Sequence, residues 1–236
     1  MDYFVHKINA AFTAEFASLG FKRYRNSRMR MVNDIAQGFF YERFNTRYAP
    51  WVRLCFYIEP LCCRIHMSDV FTYMQFCTID SNKRSKRYEY EKNSKKDIDR
   101  VVDEIITDIK EQIVPVYERA TDCKGALAEI CEINLSRARG NGAYYPIALK
   151  IGDYELALDF LLKMVGPPIE EVRETYRLRT TLEMTPELIQ RRIDTRNEII
   201  ALAEMVKNRD TEAVEKMLRE NEEFSLKNLR EMKLIK

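Results

Sequence analysis

Near Ser94 the hydrophobic period of this chain changes from that of strands to that of helices, and that change dictates the kind of fold available to it. From about residue 28 up to it, apolar residues alternate with polar or basic ones, as on half-buried strands. Arg28-Met29-Arg30-Met31-Val32 alternates in this way, and Asn33-Asp34 then supplies turn chemistry. Ile35, Gln37, Phe39 and Tyr41 line one face of the next segment, with Ala36, Gly38, Phe40 and Glu42 on the other, so the two segments are expected to form a hairpin. In Trp51–Ile58 the face is Val52, Leu54, Phe56 and Ile58, and Pro60 ends the strand or marks an edge. Further strands are expected within 61–67, within 70–79 and at 87–91. From Ser94 the spacing is helical: Ile98, Val101, Val102, Ile105, Ile106, Ile109 and Ile113 make one stripe, and Pro115 should kink or end that helix.

A helix is also expected at 3–19, where Phe4, Ile8, Phe12, Phe16 and Leu19 recur at helical spacing and Gly20 stands at the stop. Beyond Arg139-Gly140-Asn141-Gly142, which breaks the chain, every segment reads as helix: 145–151 and 154–165 around Gly152-Asp153, then 169–179, then a run from the Thr185-Pro186 start to about Asn208, then a charged amphipathic segment from Thr211 whose end is expected to fray. The fold class is therefore α+β. An antiparallel sheet of four to six strands packs against helices 3–19 and 95–120 in a domain at 1–138. An all-helical C-terminal subdomain follows at 143–236.

Bulk properties narrow the class further. Seven glycines and seven prolines in 236 residues argue for regular structure. No apolar run reaches the length of about 20 residues that spans a bilayer, and the N-terminus has no basic start followed by an apolar stretch. No membrane partner and a cytoplasmic location are the expectation. The cysteines, Cys55, Cys62, Cys63, Cys77, Cys123 and Cys131, form no C-x-x-C pair and read as buried, reduced thiols. Net charge is +2 but two-ended: residues 1–100 carry 18 Lys/Arg against 11 Asp/Glu, and residues 101–236 carry 21 against 26.

Recognisable catalytic chemistry is missing. The two histidines, His6 and His66, are the only imidazoles a nucleophilic site could use. On a strand His66 would lie about 13 Å from Cys62. Carboxylate pairs such as Asp97/Asp99 and Glu170/Glu171 stand one or two apart on helices and face different ways. There is no phosphate-binding glycine loop and no zinc spacing, so no cofactor or metal is expected. The reading leans away from an enzyme, with a site formed from distant residues between the two halves as the catalytic alternative.

The most suggestive feature is basic. Lys22, Arg23, Arg25, Arg28 and Arg30 place five cations and no acid in nine residues, with Tyr24 among them. A second cluster is Lys83, Arg84, Lys86 and Arg87. On one face of the sheet the two could hold an acidic protein surface or phosphate oxygens. As edge and loop charges they would instead oppose sheet-to-sheet aggregation.

Ile8-Asn9-x-x-Phe12, then Leu19-Gly20-Phe21-Lys22-Arg23, then the hairpin containing Asn33-Asp34-Ile35-Ala36-Gln37-Gly38-Phe39 resemble the opening of the DUF4304 family, bacterial proteins of unknown function. The likeness covers residues 5–135. It implies a fold and brings no catalytic residues. The leading expectation is a non-enzymatic binding or regulatory protein whose basic face engages an acidic protein, an immunity-type role being one concrete form. RNA or DNA binding by the same face, with Tyr24, Phe39 or Phe40 stacking on bases, is the alternative. Homo-oligomerisation would run through the C-terminal helices.

Overall fold

The computed structural model describes residues 2–45, 49–65, 75–78, 85–135, 144–180 and 182–235. The fold is α+β, and the chain forms two compact units: Met1–Ser136 together with Asn221–Lys236, and Arg137–Glu220.

In the first unit α1 (Tyr3–Phe16) begins where the Asp2 carboxylate accepts the Phe4 and Val5 N–H groups, and it buries Phe4, Ile8, Phe12 and Phe16. A 3-10 turn at Ala17–Leu19 follows, and Gly20, at φ 85, closes it in the left-handed region expected of a helix stop. The sheet is β1 (Lys22–Tyr24), β2 (Ser27–Val32), β3 (Ile35–Phe44), β4 (Trp51–Pro60), β5 (Gln75–Cys77) and β6 (Tyr88–Glu89). Its order is β1-β2-β3-β4-β5, with β6 also on β4, and every pairing is antiparallel. The hairpin turn holds Asn33 at φ 50, a conformation asparagine tolerates better than most residues.

One face of the sheet meets helices. Phe39 lies 5.1 Å from both Phe12 and Phe16. α2 (Lys95–Asp108) is capped by Ser94 and buries the isoleucine and valine stripe. A single π-helical turn at Ile109–Ile113 leads into α3 (Val114–Arg119). Proline lacks an N–H and clashes with the carbonyl four residues back, so widening the turn ahead of Pro115 lets the helix continue past it. α4 (Cys123–Leu135) completes this part.

The opposite face is covered by the end of the chain, which differs from the expected fraying. Met29, Ala36, Phe40, Cys55 and Tyr57 form one cluster with Leu229, Met232 and Leu234. Leu229 lies in the last turn of α9 (Thr211–Glu231) and Met232 and Leu234 follow it; the part of α9 from Asn221 belongs to the first unit. A sheet with apolar residues on both faces needs a second cover, and this apolar stretch supplies it.

One expected strand needs correction. Within 61–67, Leu61–Cys63 is a 3-10 turn, and 66–67 lie outside the described residues. The Leu61 N–H is taken by the Asp34 carbonyl, while the carbonyls of Leu61, Cys62 and Ile65 are taken by Ser225, Asn221 and Asn228. No strand ladder is left for this segment to make. Of 70–79, Gln75–Cys77 is strand, and 70–74 and 79 lie outside the described residues. β1, conversely, is too short at three residues for alternation to announce it.

The second unit is helical: α5 (Tyr145–Lys150), α6 (Tyr154–Val165), α7 (Ile169–Thr180) and α8 (Pro186–Lys207). Asp153 caps α6 and Thr185 caps α8, with Pro186 in the first helical turn. Ala157, Phe160 and Leu161 of α6 are buried, whereas α7 buries no residue fully.

Candidate functional site

The first basic cluster divides by strand parity. β1 is the terminal strand of the sheet and turns into β2 through Arg25 and Asn26. Arg25 holds φ 53, in the left-handed region where an L side chain carries a steric cost. Its guanidinium stacks on the Tyr24 ring at 5.3 Å. Lys22, Arg23 and Arg25 are exposed. The Lys22 ammonium donates to the Leu234 carbonyl at 2.9 Å, and Arg23 Nε donates to the Arg25 carbonyl at 3.2 Å. None of the three is ion-paired among the described residues: Lys22, the cross-strand partner of Met29, lies toward the face covered by the chain end, Arg23, the partner of Arg28, lies toward the helix face, and Arg25 stands in the turn, so three exposed positive charges line the edge.

Arg28 and Arg30 point the other way and leave the expected basic face. Arg28 is only 2% exposed. It lies under α1, donates to the Asn9 side-chain oxygen at 3.1 Å and to the Asn9 carbonyl at 3.3 Å, and sits 5.5 Å from the Phe12 ring. Burial, and then the charge of Arg23, pull its guanidinium down from its usual range. Arg30 is half-buried, bonds Gln37 Oε1 at 2.9 Å and the Leu19 carbonyl at 3.1 Å, and stacks on Phe21 at 4.8 Å. Gln37 in turn donates to the Tyr117 and Ala120 carbonyls at 2.8 and 2.9 Å. Both arginines fasten helices to the sheet. Alternation in β2 gave the signal: with Ser27, Met29 and Met31 on the face covered by the chain end, 28 and 30 must meet the helices.

The second cluster belongs to the other edge. Lys83 and Arg84 lie outside the described residues. Lys86 reaches Asp108 Oδ2 at 2.5 Å and Glu104 Oε1 at 2.9 Å. Burial would lower its ammonium, but these two acids prevail and hold it above the usual lysine range. Asp108 Oδ2 also accepts the Tyr88 hydroxyl at 2.6 Å, which stands 3.0 Å from Thr78 Oγ1. The group ties Thr78, Lys86 and Tyr88 to α2. Arg87 stacks on Trp51 at 4.8 Å, and Trp51 stacks on Phe44 at 3.9 Å. β6 and β1 are separated by three strands, so Lys86 and Arg87, next to β6, stand about 19 Å from β1 across the sheet. The described cations of the two clusters form no continuous basic face.

The aromatic residues expected to stack on bases are occupied. Phe39 and Phe40 are buried, and Tyr24 is half-buried against the cluster containing Met29 and Leu234. Of the thiols, Cys55 and Cys77 are cross-strand partners with sulfurs 3.4 Å apart, and no cysteine is in a disulfide. Among the described residues no group of histidine, cysteine and acidic side chains could hold a metal ion, and no helix is long and apolar enough to cross a membrane. His66 lies outside the described residues.

Periodicity missed a third set of polar residues. Asn221, Ser225 and Asn228 are all buried on one stripe of α9 and hold the 61–65 backbone. Their spacing of four and three was the available signal, though in so charged a segment it reads as a solvated face. No family model, curated protein or solved structure matches this chain.

Proposed function

We propose that this is a non-enzymatic binding protein of the cytoplasm that engages an acidic protein partner through Lys22, Arg23 and Arg25. The observation that carries the reading is three exposed cations along a terminal strand and its turn whose charges meet no carboxylate among the described residues. Arginine side chains on such an edge suit bidentate bonds to partner carboxylates, and the edge leaves backbone groups open to an added extended segment. Arg25 keeps a side chain at a position where glycine would be unstrained, which supports selection for its charge. Membership of the DUF4304 family over residues 5–135 is part of the proposal, and an immunity role is one concrete form of it.

RNA or DNA binding has less support. It needs several phosphate contacts in a row and free aromatic faces, and Lys86 and Arg87 lie on the opposite edge from β1 with the aromatics packed. The test is affinity capture from lysate with the wild type and with the double variant Arg23→Glu/Arg25→Glu. Loss of a specific protein from the variant, with its fold retained by circular dichroism, supports the proposal. Equal capture by both proteins contradicts it.

A further inference from the structure

The second unit contains a cleft unrelated to the basic edge. Its volume is about 390 Å³, and it lies between α7 and the pair α6 and α8. A volume of this order is typical of small-molecule sites. Its walls are apolar: Val165, Ile169, Val172, Leu188 and Ile199. Its charge is of one sign, since Arg191, Arg192 and Arg196 all line it and no acid does.

Helical geometry explains the mixture. Leu188, Arg192, Thr195, Arg196 and Ile199 recur three and four residues apart and so share one face of α8, where a continuous apolar stripe would otherwise run. α7 meets this face with Ile169 and Val172 and buries neither fully. None of the three arginines makes an ion pair or side-chain hydrogen bond among the described residues. Arg196 goes further: its Nε is buried with no hydrogen-bond partner. A buried guanidinium donor without an acceptor is costly, and a bound anion would supply the acceptor.

The geometry points to a binding site for a small amphipathic anion, an apolar chain carrying a carboxylate or phosphate head. The chain lies against Ile169, Val172 and Leu188, and the head is held by Arg192 and Arg196. A head alone would leave the apolar walls wet, and an apolar or cationic molecule would leave the arginines without an acceptor.

The test is isothermal titration calorimetry on the full chain with decanoate, decyl phosphate, decyltrimethylammonium and inorganic phosphate. One or both anionic amphiphiles should saturate at one per chain, and the tighter of the two identifies the head. The cationic analogue and inorganic phosphate should bind at least about ten-fold more weakly. Arg192→Gln/Arg196→Gln should weaken the anion by about ten-fold or more while the circular dichroism spectrum is unchanged. Val172→Trp, which fills the cleft, should abolish binding. The proposal is overturned by absence of saturation below about 1 mM, by equal binding of the anionic and cationic amphiphiles, or by wild-type affinity in the folded double variant.

Discussion

At position 38 only a hydrogen fits. A Cβ on Gly38 would collide with the Tyr57 hydroxyl and stand 2.7 Å from the Arg28 carbonyl. Tyr57 is the cross-strand partner of Gly38, and from the other side Tyr117 donates to the Gly38 carbonyl at 2.5 Å. Neither ring can retreat, because both are completely buried. Gly38→Ala should destabilise by about 3 kcal/mol, read as a lower urea midpoint at an unchanged slope. Glu59 is the second decisive residue. It is 4% exposed, its Oε2 has no hydrogen-bond partner, and burial holds its carboxyl well above the usual range. The folded state therefore keeps a proton that the unfolded chain releases. The contribution of Glu59 to stability is greatest below its unfolded pKa, near 4.5, and falls as pH rises from there, by up to about 1.4 kcal/mol per pH unit while the folded carboxyl stays protonated. Glu59→Gln should flatten that slope and be more stable than the wild type at neutral pH. A parallel pair of pH–stability curves for the two proteins would refute the assignment.

At the scale of elements, the end of α9 depends on three polar contacts as well as its apolar residues. Ser225 accepts the Ile65 N–H at 2.8 Å and lies 2.8 Å from the Leu61 carbonyl. Ser225→Ala leaves both backbone groups buried without that partner and should cost about 1–3 kcal/mol. Amide exchange at Ile65 should quicken in the variant, and unchanged exchange would show that the contact is dispensable. The same element shows what the sequence could disclose. α1 and the α2 stripe were legible because each helix has one buried face and hence a clean period, and the β2–β3 hairpin, buried on both faces along most of β3, was legible from the alternation in β2 and the Asn33-Asp34 turn. α9 was not: its buried face mixes Asn221, Ser225 and Asn228 with Leu229, and its polar members meet backbone from a segment some 160 residues away. For the site, alternation in β2 was readable and separates Arg28 and Arg30 from the exposed cations. Runs of like charge conceal such parity when they are read only as composition. Nothing local placed Lys86 and Arg87 on the far edge, since strand order arises from tertiary pairing.

At the scale of the whole molecule, the first unit is discontinuous in sequence: it is begun by Met1–Ser136 and completed by Asn221–Lys236. The intervening helical unit carries its own core and its own arginine-lined cleft. Distribution of charge within the first unit separates the functional readings. Nucleic-acid binding scales with the number of phosphates neutralised and falls steeply with salt, whereas three edge cations matched to partner carboxylates should show a shallow dependence. The most direct measurement of the central claim is therefore capture from nuclease-treated lysate at low and at moderate salt, with wild type and Arg23→Glu/Arg25→Glu side by side. The account predicts a defined acidic protein that survives nuclease and moderate salt on the wild type and is absent from the variant. Captured material that vanishes with nuclease, or a protein retained equally by both, would contradict it.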